Sequence, residues 1–309
     1  MPELPEVNRV VNILKRTALG RRVEKVISTE DSIVYCDGID NKQFEEEMTG
    51  RSILEAGRFG KVFYVRLDGE GRHPVMHLGM TGNVYIKGTN PAFYSSSPKK
   101  VDTSWPPRFM KFILRLSALP SDPEGVDPPE VVFVDARRLG RIRLCVDPLT
   151  EPPISNLGFD PILSMPPVSE FIEAVKKKNC VIKSLLLDQS FSAGVGNWIA
   201  DEVLFHSRIH PEQKPNVLGE DVLTRLHEKI KYVCETAVGV DADSAQFPEG
   251  WLFKHRWGKG KDPHIILPNG EKAPIKFLTV GSRTSAIVPK VQKLYKVRVF
   301  HPSIVSCIE

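Results

Sequence analysis

The chain has 309 residues, 41% hydrophobic and 26% charged, an ordinary balance for a folded protein of one or two domains. No apolar run approaches a membrane span, so a helical membrane protein is excluded and a soluble, intracellular chain is expected. The net charge is only +4, yet residues 254–298 carry eleven Lys/Arg against Asp262 and Glu271, a local +9 that suits either a polyanionic partner or a solvated basic surface.

The chain opens Met1-Pro2-Glu3-Leu4-Pro5-Glu6-Val7. An initiator methionine is readily removed before a small residue, and the new N-terminus would then be a secondary amine beside a carboxylate. Such an amine can attack a sugar carbon and form an iminium, with Glu3 moving protons. An α-amino group has a pKa of about 7.7–8.0, so a neutral fraction exists near pH 7, which a lysine at about 10.4 lacks. The same residues also read as a simple leader in which Pro5 starts a helix.

After Pro5, apolar residues at Val7, Val10, Val11, Leu14 and Ala18 have helical spacing, with Gly20 as a stop. Residues 22–146 turn to short β-branched runs such as 23–27, 62–65, 84–86, 112–116 and 131–134, which read as a β-sandwich. Two polar stretches, 90–107 and 120–129, read as surface insertions. The Pro-rich passage 147–167 has the composition of an interdomain linker. Helical periods follow at 168–178, 181–187, 199–206 and 222–238. The end returns to strands: 265–267 and 275–278 flank Pro268-Asn269-Gly270, and 277–280 and 285–288 flank Gly281-Ser282. Five scattered cysteines (Cys36, Cys145, Cys180, Cys234, Cys307) offer neither a zinc set nor a disulfide framework.

Within the helical part, Lys183 lies fourteen residues before Asn197, near which a helix begins after the turn Gly194-Val195-Gly196. Glycines admit close backbone approach, and a helix start offers unpaired N–H groups to an anion. A plain helical hairpin has the same spacing.

Together, Pro2-Glu3-Leu4-Pro5-Glu6-Val7, the Lys183…Gly194-Val195-Gly196-Asn197 segment and Gly281-Ser282-Arg283-Thr284 resemble, in order and spacing, the formamidopyrimidine-DNA glycosylase family with its endonuclease VIII-like members. The resemblance implies an α+β fold: an N-terminal helix and two-layer β-sandwich at 1–150, a linker at 151–167, and a helix–two-turn–helix domain ending in a hairpin finger at 168–309. It implies a base-excision-repair DNA glycosylase with AP lyase activity, flipping a damaged base from duplex DNA. Pro2 would be the nucleophile, Glu3 the acid/base that opens the sugar, and Glu6 a group that positions sugar or water. Lys61 would belong to the catalytic set and hold phosphate. Lys183, Asn197 and Arg283 would contact phosphates. Met80 in His77-Leu78-Gly79-Met80 would fill the void left by the base, while Arg137 would face the orphaned base. Leu139 stands where the family carries an aromatic wedge.

The four cysteines that hold a zinc ion in bacterial members are missing between Cys234 and Cys307. The chain therefore resembles the plant and fungal zincless-finger branch, with no metal or cofactor and with Phe277, Leu278, Ile287, Val288 and Val291 packing the finger. The stretch 253–261 is short for the loop that covers the flipped base in bacterial members. Formamidopyrimidines and hydantoins are therefore expected substrates, and 8-oxoguanine a poor one. The partner would be damaged double-stranded DNA, the enzyme a monomer, and the compartment the nucleus, with mitochondria as a further site. A second reading is a non-catalytic damaged-DNA-binding protein of the same fold, which would not need the Pro2/Glu3 pair.

Overall fold

The computed structural model describes residues 2–89, 104–257 and 263–295. Most of the 90–107 insertion, the end of the 253–261 stretch and Cys307 lie outside the described residues.

Helix α1 (Leu4–Thr17) starts where its sequence provides a start: Pro5 sits in the first turn, and the Glu3 N–H donates to Glu6 Oε2 at 2.9 Å. Its apolar stripe of Val7, Val10, Val11 and Leu14 is buried, at roughly 1.5–3 kcal/mol for each such side chain. Two four-stranded antiparallel sheets follow. With β1 (Val23–Ser28), β2 (Ile53–Phe59), β3 (Val62–Leu67), β4 (His73–His77), β5 (Asn83–Ile86), β6 (Met110–Leu116), β7 (Glu130–Val134) and β8 (Arg141–Cys145), one sheet runs β1-β6-β7-β5 and the other β2-β3-β4-β8. Phe112, Leu114 and Phe133 from the first sheet share a core with Ile53, Phe63 and Met76 from the second and with the α1 stripe. This is the expected sandwich. Helix α2 (Asn41–Met48) was not read from periodicity, although Asp40 and Gln43 form a capping box at its start.

The linker is tied down. Asp160, fully buried, accepts from Arg58 Nη1 at 2.5 Å and from the Gly60 N–H at 2.8 Å, and Arg58 Nε donates to Asn8 Oδ1 at 2.9 Å. Beyond it come α3 (Val168–Lys176), α4 (Ile182–Leu187), α5 (Asn197–Ser207) and α6 (Glu220–Gly239). Their core includes Phe171, Trp198, Leu226 and Trp251, and also Leu4. The first turn of α1 is therefore held by the second domain, while the rest of the helix packs on the first.

The C-terminal part is two hairpins. β9 (His264–Ile266) pairs with β10 (Lys272–Pro274), and β11 (Lys276–Val280) pairs with β12 (Arg283–Ile287). The first return strand comes earlier than the expected 275–278, because the Asn269-Gly270 turn closes tightly: the Gly270 N–H donates to Leu267 O at 2.8 Å. Ile265, Leu267, Ala273, Ile275, Ala286 and Val288 form the finger core on Phe205 and Leu252, with Phe277 and Val291 at its edge. Of the side chains expected to pack it, Leu278 and Ile287 fall outside this cluster.

Candidate active site

The start of α5 organises the site. The first N–H groups of a helix have no partner within it, and here the Glu3 carboxylate takes two of them: Trp198 N–H at 2.9 Å and Ile199 N–H at 3.1 Å. The arrangement requires the glycines before the helix. A Cβ on Gly196 would stand 2.2 Å from Glu3 Cδ, and one on Gly194, at φ +96°, would stand 2.8 Å from Leu4 Cβ. The Leu4 N–H donates to Gly194 O at 3.1 Å, so the chain just after Pro2 is clamped against this turn.

The β2–β3 turn closes the other side. Gly60, at φ +58°, abuts Ala193, and Lys61 Nζ donates to Val195 O at 2.9 Å. Pro2, half-buried, thus precedes a carboxylate, Glu3, that is 1% exposed and faces a lysine, Lys61, that is 8% exposed. Burial pushes the Glu3 carboxyl above its ordinary range, against the pull of Lys61 and the two backbone donors. Burial, then the neighbouring Glu3 charge, pushes Glu6 up to about 7. Burial pulls Lys61 down, opposed by Glu3 and Glu6 and assisted by Arg283.

Of the expected phosphate contacts, Arg283 faces outward, while the Asn197 amide is turned to the hairpin. Arg283 begins β12 just after the Gly281-Ser282 turn, whose φ values of +55° and +60° are those of a type I′ hairpin. Its side chain is exposed and without an ion pair among the described residues. The hairpin tip rests on α4, since a Cβ on Gly281 would meet Ser184 Oγ at 2.6 Å. Asn197 Nδ2 donates to Thr284 O at 2.9 Å, which ties the hairpin to α5, while its Oδ1 is buried without a partner.

Lys183 departs from the expectation. It is fully buried, and its ammonium ends on Asp201 Oδ1. Asp201, which no sequence motif marks, gathers the site: Oδ2 also accepts from Arg256 Nη2 at 2.6 Å and from the hairpin Ala286 N–H at 3.1 Å. Lys183 therefore acts inside the protein, through Asp201, and has no exposed face for a phosphate. The fourteen-residue spacing brings it beside α5 as expected, but spacing does not reveal which side chain receives its charge.

A second group lies at the loops after β4 and β7. Asp135, fully buried, accepts from Thr81 Oγ1 at 2.6 Å, from the Arg137 N–H at 3.2 Å and from the Gly140 N–H at 2.6 Å. Gly79, at φ +61°, lies against the Leu139 backbone. Met80, Arg137 and Leu139 therefore come together, Met80 half-buried, Arg137 exposed and Leu139 37% exposed. Arg138, at φ +56°, is held by both oxygens of Asp31 at 3.0 Å. His77 lies at the end of β4 opposite Val62, and burial and the Lys61 charge pull its pKa down to about 4. Among the described residues no cluster of His, Cys, Asp or Glu is placed to hold a metal ion.

The chain matches the formamidopyrimidine-DNA glycosylase N-terminal domain family over residues 1–142 and the formamidopyrimidine-DNA glycosylase H2TH domain family over residues 157–249. It is 41% identical over 295 residues to an Arabidopsis thaliana formamidopyrimidine-DNA glycosylase, covering 96% of this chain and 72% of that protein. It is 31% identical over 305 residues to the Protochlamydia amoebophila protein of the same name, covering 95% of this chain and all of that one. In fold it is similar to the Lactococcus lactis protein bound non-covalently to DNA containing an AP site, with a TM-score of 0.72, 23% identity, and 94% and 99% of the two chains covered. The wild-type Lactococcus lactis protein complexed with DNA containing N7-benzyl-Fapy-dG gives the same TM-score at 24% identity, covering 94% of this chain and 100% of that one.

Proposed function

The chain belongs to the formamidopyrimidine-DNA glycosylase family, and from that premise we infer how its site acts as a bifunctional base-excision-repair DNA glycosylase and AP lyase on damaged duplex DNA. The observation that carries the reading is the Glu3 carboxylate seated on the first turn of α5, which fixes the Pro2 backbone between the two domains.

With Met1 removed, the neutral Pro2 nitrogen attacks C1′ of the damaged nucleotide, the glycosidic bond breaks, and the leaving base takes up the proton that the amine gives up. Burial raises the proton affinity of Glu3, which suits it to pass a proton to O4′ as the sugar ring opens to the iminium. Loss of a C2′ proton then expels the 3′ phosphate, and a further elimination expels the 5′ phosphate. Water releases the amine. Glu6, at about 7, exchanges protons with this pair near neutrality. Arg283 and Asn197 hold phosphates beside the lesion, and Lys61 serves both phosphate and proton traffic. These contacts are independent of sequence, as a search for rare damage demands. Met80 and Leu139 occupy the vacated stack, with Arg137 at the orphaned base; an apolar wedge suffices for unstacking.

Formamidopyrimidines and hydantoins are the proposed substrates, with 8-oxoguanine excised poorly. We place the enzyme in the nucleus, acting as a monomer, with mitochondria as a further site. Among the described residues no helix is long and apolar enough to cross a membrane. Borohydride reduction during turnover should trap the protein on damaged duplex, and a chain whose Pro2 amine is blocked by acetylation should lose trapping while still binding an abasic-analogue duplex. Trapping of the blocked chain at the normal rate would remove the Pro2 amine from the mechanism.

A further inference from the structure

The far end of α5 carries a cleft that the chemistry above does not use. It encloses about 610 Å³ and is lined by Arg208, Arg225, Lys229, Lys293, Leu294 and Tyr295, with His206 and Val291 behind them. Its four cations come from three separate segments: Arg208 caps α5, Arg225 and Lys229 are one turn apart on α6, and Lys293 follows the finger, its backbone bridged to Ile209. None of the four has an ion pair among the described residues. Arg225 Nε donates to the Ser207 carbonyl at 3.0 Å, and the Lys229 ammonium lies 5.1 Å from the Tyr232 ring centre. The carboxylate beside His206, Glu202, turns inward to the Leu252 and Phe253 N–H groups at 2.9 and 2.7 Å.

Four like charges around one concavity repel each other, and that cost is removed when an anion enters. The cleft also presents apolar surface, with Leu294 53% and Tyr295 42% exposed. A duplex, whose major groove alone is about 12 Å wide, is too large to enter a space of this volume and could reach only its rim. The eleven residues of α5 also put the cleft roughly 16 Å along the helix from the Glu3 carboxylate.

We propose that this cleft docks a short acidic peptide from a protein partner, an apolar or aromatic residue flanked by Asp or Glu, leaving the lesion site free. The cations supply steering and register, and Leu294 and Tyr295 receive the anchor.

The test uses the full chain and a fluorescein-labelled Glu-Asp-Phe-Asp-Glu peptide followed by anisotropy at low salt. Saturable binding is expected, weakened at least about tenfold by the double substitution Lys229→Glu/Lys293→Glu. Among the described residues neither lysine side chain has a hydrogen-bond or ion-pair partner, so melting temperature and borohydride trapping on damaged duplex should be unchanged. A peptide with Ser in place of Phe should bind several-fold more weakly, and undamaged duplex should not compete. The proposal is overturned by non-saturable binding or by binding indifferent to the double substitution. It is equally overturned if duplex competes and the variant loses duplex affinity in step, which would make the cleft a DNA track. Equal binding of the Phe and Ser peptides, both displaced by inorganic phosphate, would make it a plain anion site.

Discussion

Gly196→Ala isolates the contact on which the site is built. Gly196 has φ −121° and ψ −160°, extended backbone that alanine adopts freely, so the substitution acts through space alone. The added methyl would stand 2.2 Å from Glu3 Cδ and 2.5 Å from Glu3 Oε1, whereas carbon atoms rest at about 3.5–4.0 Å. Glu3 is 1% exposed and pinned by two helix N–H groups, so it cannot swing away without giving up both bonds. Its carboxylate must retreat by more than an ångström. A misplacement of that size costs about 10²-fold in rate, which is about 2.7 kcal/mol of barrier. The exposed Arg283 is untouched, so affinity for an abasic-analogue duplex should stay within about threefold. Single-turnover excision and borohydride trapping read the first effect, and equilibrium duplex binding the second. Excision within about threefold of the parent would show that a seated Glu3 carboxylate is not needed, and the reasoning would fail.

Three further outcomes follow from the same geometry. Glu6 has its pKa raised to about 7 in the fold from an ordinary 4.5, so the folded state binds the extra proton and stability falls as pH climbs between those values. Glu6→Gln should remove at most about 3 kcal/mol of that decline, read from denaturant midpoints across the window; an unchanged pH slope would contradict the assignment. Asp201→Asn should leave the buried Lys183 and Arg256 without their counter-charge and loosen the Ala286 N–H, at a cost of about 3–5 kcal/mol, and a stability loss below about 1 kcal/mol in urea unfolding would refute the hub. Arg283→Ala should leave the melting temperature unchanged, weaken duplex binding alike for all sequences and lower the logarithmic salt slope by about one; an unchanged slope would mean that Arg283 meets no phosphate.

Local signals in the sequence carried most of the fold. The stripe Val7–Val10–Val11–Leu14 announces α1, and Asn269-Gly270 and Gly281-Ser282 announce both hairpins because only a few residue types accept their backbone angles. Helix α2 was missed because a short, charge-rich stretch between strands has only a weak apolar period, leaving the Asp40/Gln43 cap as its one marker. The site divides in the same way. Pro2, Glu3 and the two glycines are legible since neighbouring residues and close approach are encoded locally. What Lys183 does is not, because its partner Asp201 is eighteen positions away on another helix and a charge in sequence does not say whether it meets water or carboxylate. Asp135 lies two residues before Arg137, but its task of tying Met80 to Leu139 rests on contacts with Thr81, fifty-four positions earlier. The finger core takes in Ile265, Leu267 and Ala273 from the first hairpin and leaves out Leu278, half-buried, and Ile287, which is buried outside the cluster; no single residue reveals how the two hairpins pack.

The central claim is that the nucleophile is the amine of Pro2. Reducing the enzyme with borohydride on a damaged duplex, digesting the adduct and sequencing the peptides by mass spectrometry locates the bond directly. A deoxyribose fragment on a peptide that begins at Pro2, with Met1 gone, is the predicted result. The fragment on Lys61, or an adduct formed by a chain that retains Met1, would contradict it.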